Sequence, residues 1–407
     1  MPIEPTIQSI LSQIASPTIA WSRVFAIAGM QSAIVLCWVM YRLYLPELFD
    51  RAGLAASVVG TVLFFEVAIG FVLEPLMGYS SDRLRVWLGT RFPLILVGVL
   101  LAALMFFTLP SIAGFRTSAQ RILPVAAVVW AMAMAMFRSP VLVLLGQCAM
   151  SSDLPYASGV LMAVGAVVSR LIPLTSDLWL SYGVVFTFAI GSIVLLVAAV
   201  VLRSTLPPPT PSTSDKTRSP NISHLAISLL RMLTVAIGVV CTGSWVMAVV
   251  AKTGAGSDTL PWLMANPVQV GIVGAVSCLL FGTIEKQFGM RRVVTISVGV
   301  AIAALLALSV SSNAAVVLAL TISIVACQSA INVGVIPLAI EIAPVGFGGV
   351  AIGMYFGALG LAGSLFSRVF GDLSEYSPMM MAWGGVVSLV FVAIGFGWGL
   401  WRTSRST

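Results

Sequence analysis

Apolar runs of about 20 residues recur along the whole chain, separated by short polar or Gly/Pro-bearing breaks. A helix rises about 1.5 Å per residue, so a run of this length crosses the hydrocarbon core of a bilayer. Twelve such runs predict twelve transmembrane helices, near residues 21–45, 56–77, 93–110, 123–147, 157–175, 182–203, 225–250, 266–284, 292–311, 314–340, 349–370 and 379–401. Strands of a membrane barrel would instead alternate apolar and polar positions, and these runs do not. The predicted fold class is an all-α polytopic membrane protein.

The break after the sixth run differs from the others. Residues 206–224, LPPPTPSTSDKTRSPNISH, are rich in Pro, Ser and Thr and offer no apolar face to bury, as expected of a flexible tether. They divide the chain into an N-terminal six-helix bundle (1–205), a central loop (206–224) and a C-terminal six-helix bundle (225–407).

Composition agrees with the pattern. Hydrophobic residues make up 59% of the chain and charged residues 9%, against about 25% charged in soluble domains. The net charge of +7 raises nucleic acid as a partner, but the basic residues sit at the ends of apolar runs and form no single patch. Membrane topology explains them better. With both termini inside, the inner loops carry eleven Lys and Arg and the outer loops five, an excess that places both termini in the cytoplasm and the chain in the cytoplasmic (inner) membrane. The N-terminal stretch lacks a basic n-region and a cleavage site, so a removable signal peptide is not expected. Cys37, Cys148, Cys241, Cys278 and Cys327 all fall in apolar runs without a CxxC pair and are expected to be packing residues. No nucleotide-binding loop, HExxH, metal-ligand cluster or nucleophile elbow is present. The chain is therefore expected not to be an enzyme and to need neither cofactor nor metal.

The densest run of charge lies at residues 78–98, GYSSDRLRVWLGTRFPLILVG, where Asp82, Arg83, Arg85 and Arg91 fall within ten residues. It reads as the loop between the second and third spans. A weaker echo, Gly282-TIEKQF-Gly289-Met-Arg291-Arg292, follows the eighth span, as a duplicated six-helix unit would leave.

Twelve spans, a central loop and this motif together resemble the major facilitator superfamily over essentially the whole chain. The matching motif residues are Gly78, Asp82, Arg83, Gly89 and Arg91. The spacer before Gly89 and the Pro93 that follows resemble the sucrose-transporter and glycoside/pentoside/hexuronide branch, as do Phe137-Arg138-Ser139-Pro140 and Asn332-VGVIPLAIEIAP. Where that branch has an Asp on helix 4, this chain has Gln147. The resemblance implies two pseudo-symmetric six-helix bundles and a monomeric secondary transporter working by alternating access. It further implies a small-molecule substrate, a sugar or glycoside, and a coupling ion, with a proton as the expected one. An exporter of another organic solute is a second expectation. A pigment (chlorophyll) delivery or light-harvesting assembly factor of the same superfamily is a third.

The candidate residues divide by position. Asp82 at the end of helix 2 can face the N-terminus of helix 11 near Gly348 and Gly349, where free N–H groups favour negative charge. With Gly78, Arg83, Arg85, Gly89 and Arg91 it would form a cytoplasmic gate; the alternative is that these charges only set topology. Ions inside spans are costly and suggest function. Glu66 is the candidate proton carrier, or else half of a structural ion pair with an Arg such as Arg138; Glu74 is assigned to the gate. Arg138, Gln31, Gln147, Gln328 and Asn332 could hydrogen-bond a solute, and Trp38 and Trp245 could stack on a sugar ring. Arg170 and Arg368 are outer-gate candidates that could pair with Asp177 and Asp372.

Overall fold

The computed structural model describes residues 19–209, 222–254 and 267–397. Among them are twelve long helices: α1 (Trp21–Arg51), α2 (Ala56–Leu88), α3 (Phe92–Ala113), α4 (Arg116–Leu142), α5 (Leu154–Leu174), α6 (Val184–Thr205), α7 (Ile222–Gly254), α8 (Pro267–Phe288), α9 (Met290–Val310), α10 (Ala314–Ile342), α11 (Gly348–Phe370) and α12 (Pro378–Gly397). Ten of the described helices are long and apolar enough to cross a membrane. Most of the central loop, residues 210–221, lies outside the described residues, and so do residues 398–401 of the last predicted span.

The helices form two bundles with matching internal packing. α1 packs on α5 and α6, α2 on α4, and α3 on α4 and α6. In the second half α7 packs on α11 and α12, α8 on α10, and α9 on α10 and α12. Each second-half contact is the first-half contact shifted by six helices. Between the halves, the most extensive contacts join α2 to α11 and α5 to α8, a pair that the same shift interchanges.

Each bundle has its own aromatic core. In the first, Phe106 stacks on Phe188 at 4.2 Å and on Trp130 at 5.2 Å, and Tyr41 lies 4.3 Å from Trp130. In the second, Trp245 packs edge-on against Phe366 and Phe370 at 5.0 and 4.8 Å. Large apolar side chains are also exposed around the outside of the helices, among them Phe65, Leu104, Val200 and Val387. In water such a surface would be a liability; toward lipid tails it is the favourable arrangement.

The helices differ from the apolar runs chiefly at their ends. α2 continues to Leu88, eleven residues past the predicted end, so the run from Gly78 to Leu88 is helical and only residues 89–91 form the turn. The polar residues there mark where the helix leaves the apolar layer, not where it stops. It stops at Gly89, whose φ of 72° is the left-handed conformation that closes many helices. The matching Gly289, at φ 88°, separates α8 from α9. α4 ends at Leu142 and passes into a 3₁₀ turn over Val143–Gln147. A seven-residue helix, Ser176–Tyr182, lies between α5 and α6 and was not apparent in the sequence.

Candidate functional site

Along α2, Glu66, Gly70, Glu74, Gly78 and Asp82 follow at steps of four and so lie on one ridge of the helix. Facing them on α11 are Gly349, Gly353, Gly357 and Gly360. The two backbones touch along this seam. A Cβ on Gly353 would come within 2.8 Å of the Pro75 Cα, and one on Gly357 within 3.0 Å of the Gly70 carbonyl. One on Gly78 would come within 2.8 Å of the Val350 nitrogen and would strike Gly349 first. Side chains at Gly78, Gly349, Gly353 or Gly357 would force the helices apart, whereas a Cβ on Gly70 would enter open space in a cavity that Gly70 lines.

At one end of the seam, Asp82 accepts a hydrogen bond from Arg91 Nη2 at 2.5 Å and another from the Val350 N–H, in the first turn of α11, at 3.2 Å. The side chains of Asp82 and Arg91 are only 2% and 3% exposed, so the charges are paired at close range in a region with little water to screen them. Arg83 lies elsewhere: its Nε donates to the Tyr79 hydroxyl at 2.9 Å, and its guanidinium sits 6.0 Å from the Phe347 ring centre. Arg85 is exposed.

The α5–α8 seam repeats the plan with other residues. A Cβ on Gly159 would approach the Cys278 carbonyl to 2.6 Å, and one on Gly282 the Pro155 carbonyl to 3.1 Å. Here the ion pair joins Lys286 on α8 to Asp153, just before α5, at 2.8 Å. Both seams are thus closed and bridged by charge at the same end of the molecule.

Two of the cavities between the described helices adjoin these seams. The first, about 390 Å³, is walled by α1, α2, α4 and α11 and lined by Trp38, Arg42, Glu66, Glu74 and Arg138. Glu66 accepts from the Tyr41 hydroxyl, while its other carboxyl oxygen is buried without a partner among the described residues. Arg138 pairs with Glu74 at 3.0 Å and lies 5.2 Å from the Phe356 ring centre. Glu66 and Arg138 are therefore not each other's partner, and Glu74 belongs to the chamber as well as to the seam. The next residue, Ser139, donates to the carbonyls of Glu74 at 3.4 Å and Gly349 at 3.3 Å. This ties the charged chamber directly to the first turn of α11.

The second chamber, about 460 Å³, is walled by α1, α5, α7, α8, α10 and α11. Its polar lining includes Gln31, Gln328, Asn332, Ser169 and Ser329, and among the described residues it carries no acidic or basic side chain. Among the described residues Gln31 Oε1 is buried without a partner, and Gln328 reaches the Val239 carbonyl only at 3.5 Å. Val35, Phe356 and Leu359 line both chambers and form the wall between them.

Other sequence candidates lie apart from these spaces. Gln147 is exposed in the 3₁₀ turn after α4, because that helix ends five residues earlier. Trp245 is buried in the second aromatic core and lines neither chamber. Arg368 lies 4.0 Å from the ring centre of Phe64 on α2, and the ion pairs among the described residues do not join it to Asp372. Asp372 instead accepts from the Ser374 N–H at 2.9 Å, which holds its carboxyl below the usual carboxylate range. The Arg170 side chain lies outside the described residues, and Asp177 is exposed in the first turn of the short helix. Reading the sequence alone did not identify Tyr41, the Asp153–Lys286 pair or Ser139. The four-residue step of acids and glycines on α2 was the available signal for the seam.

Two membrane-spanning bundles related by a six-helix shift, with chambers between them and both seams shut at one end, define a two-bundle membrane carrier. The chain belongs to the Major Facilitator Superfamily, whose sequence profile matches residues 24–367. The family is one of transporters. Solved structures that share the fold include three transporters. They are the human organic anion transporter MFSD10 (13% identity, TM-score 0.65, 93% of this chain and 100% of that one), the transporter FucP in its outward conformation (12%, 0.66, 94% and 99%), and a bacterial homologue of the iron transporter ferroportin in an outward-facing state with soaked iron (12%, 0.70, 95% and 100%). At these identities the likeness is one of fold. No curated protein sequence matches the chain.

Proposed function

We propose that the protein is a proton-coupled secondary transporter that moves a small polar organic solute of the sugar or glycoside class by alternating access. The observation that carries this reading is the division of labour between the chambers. Among the described residues, the amide- and hydroxyl-lined chamber offers hydrogen bonds without net charge, the chemistry that suits a hydroxylated ring. The adjoining chamber holds the acids and bases, with Glu66 as the proton carrier and Arg138 neutralised by Glu74. The Asp82–Arg91 contact to α11 and the Lys286–Asp153 contact across α5–α8 act as the latch that shuts one end. By the distribution of Lys and Arg that end is cytoplasmic, so this is the outward-facing or occluded arrangement in a cytoplasmic membrane. Rocking of one bundle against the other would break both seams and open the chambers inward.

A thermal-shift screen of sugars, glycosides, nucleosides and organic acids on the purified protein tests the solute class. A sugar or glycoside is expected to raise the unfolding temperature, and Gln31→Leu with Asn332→Leu to remove that shift while leaving the ligand-free melting curve in place. Stabilisation by organic acids alone would overturn the assignment.

A further inference from the structure

Among the described residues, Glu285 is the one buried carboxyl for which the transport reading has no use. It lies near the end of α8, is 1% exposed, and neither of its oxygens has a hydrogen-bond partner among the described residues. It stands one turn beyond Gly282, where α8 and α5 touch through their backbones, and residues three apart share a helix face. The elements packed on α8 are α5, α9 and α10. Among the described residues, the charged and titratable groups they and α8 bring near it are Asp153, Tyr156, Cys278, Lys286, Arg291, Arg292 and Glu341. Lys286 is engaged by Asp153 at 2.8 Å and Arg291 by Glu341 at 2.7 Å, while Arg292 is exposed. Glu285 is thus a carboxyl sealed away from water with no paired cation among the described residues.

We propose that Glu285 is a proton-binding residue of the α5–α8 seam, protonated while the seam is shut and deprotonated when it opens. An ionised carboxylate buried without a partner costs several kcal/mol, whereas the neutral acid avoids most of that cost. When α5 leaves α8 at Gly159 and Gly282, water reaches the carboxyl, its O–H bond breaks, and the proton passes to solvent at that end. Because the shut state binds the proton more tightly, acid favours the shut seam and alkali the open one, with a slope of one proton. This rests on the alternating-access reading above and gives that cycle a second proton site, on the bundle opposite Glu66.

The experiment places spin labels at Met150→Cys and Phe288→Cys, two exposed positions at the facing ends of α5 and α8, and measures their separation as a function of pH. Buried glutamates are known to hold a proton to about pH 8–9, so the titration runs from about pH 5 to about pH 10. In the labelled protein the ratio of open to shut seam is expected to rise by up to about ten-fold per pH unit through the transition, the limit for one linked proton. Glu285→Gln, which keeps the shape of the protonated acid, should stay shut without that transition, and Glu285→Asp should still titrate. A protonated-carboxyl infrared band present in the parent and missing from Glu285→Gln identifies the group directly. A Glu285→Gln protein that titrates like the parent, or a parent seam that opens with solute but not with pH, overturns the assignment and leaves the transport reading standing. A seam that never opens under any pH or solute overturns both.

Discussion

Asp82→Asn is expected to open the latch, exposing the α2–α11 seam to solvent and lowering gradient-driven uptake at least about ten-fold, a factor that corresponds to about 1.4 kcal/mol. Asn can still accept from the Val350 N–H, but it removes the negative charge that Arg91 pairs with at 2.5 Å. A guanidinium 3% exposed is then left without its counter-ion, a loss of about 3–5 kcal/mol in buried pairs. Only the shut arrangement bears this penalty, so the equilibrium moves toward the open one. Ser81, fully buried beside Asp82, supplies the readout. As Ser81→Cys it should resist maleimide in the parent and react rapidly once Asp82→Asn is added. A thiol that stays protected would show that the pair does not hold the seam. Adding Arg91→Met should recover part of the loss, since removing both partners is milder than removing one.

Glu66→Gln is expected to abolish accumulation of solute against its gradient while leaving solute-for-solute exchange within about two-fold, a change worth less than about 1 kcal/mol. The substitution is close to isosteric, and Gln keeps an oxygen to accept from the Tyr41 hydroxyl, so the packing of α1 on α2 should survive. What it removes is the ability to take up and release a proton in the charged chamber. Exchange needs only the rocking of a loaded carrier, whereas accumulation needs the proton to ride with the solute. Uptake that continues to respond to a pH gradient in Glu66→Gln would rule out this residue as the carrier.

The number and position of the twelve helices were legible because the bilayer imposes one length on every span, and apolar runs record that length directly. Helix ends were less legible. The charges from Asp82 onward suggested a loop, yet α2 runs on to Leu88, since Asp82 finds tertiary partners in Arg91 and Val350 while Arg83 bonds Tyr79 one turn back on the same helix. A charge pattern reports the depth at which a helix leaves the apolar layer, and only Gly89 reports where it stops.

For the site, residue type pointed to the right helices more often than to the right partners. Gln31, Gln328 and Asn332 do meet in one chamber, because all three lie on spans that face the opposite bundle. Gln147 does not, because α4 ends before it, and Trp245 turns into its own bundle, where Phe366 and Phe370 pack against it. Which acid holds Arg138 could not be read from spacing: Glu66 and Glu74 are two turns apart on one ridge, and only the approach of α4 selects Glu74. The Asp153–Lys286 pair joins residues far apart in the chain whose proximity depends on how the two bundles meet. The glycine-and-acid ridge of α2 is the exception, a long-range contact surface written locally at steps of four.

The most direct measurement is uptake into proteoliposomes containing only this protein, with an imposed pH gradient and the radiolabelled solute selected by the thermal-shift screen. Proton-coupled alternating access predicts accumulation above the external concentration, collapse of that accumulation when a protonophore is added, and its absence in Glu66→Gln vesicles. Solute that merely equilibrates across the membrane, at the same rate with and without the pH gradient, would contradict it.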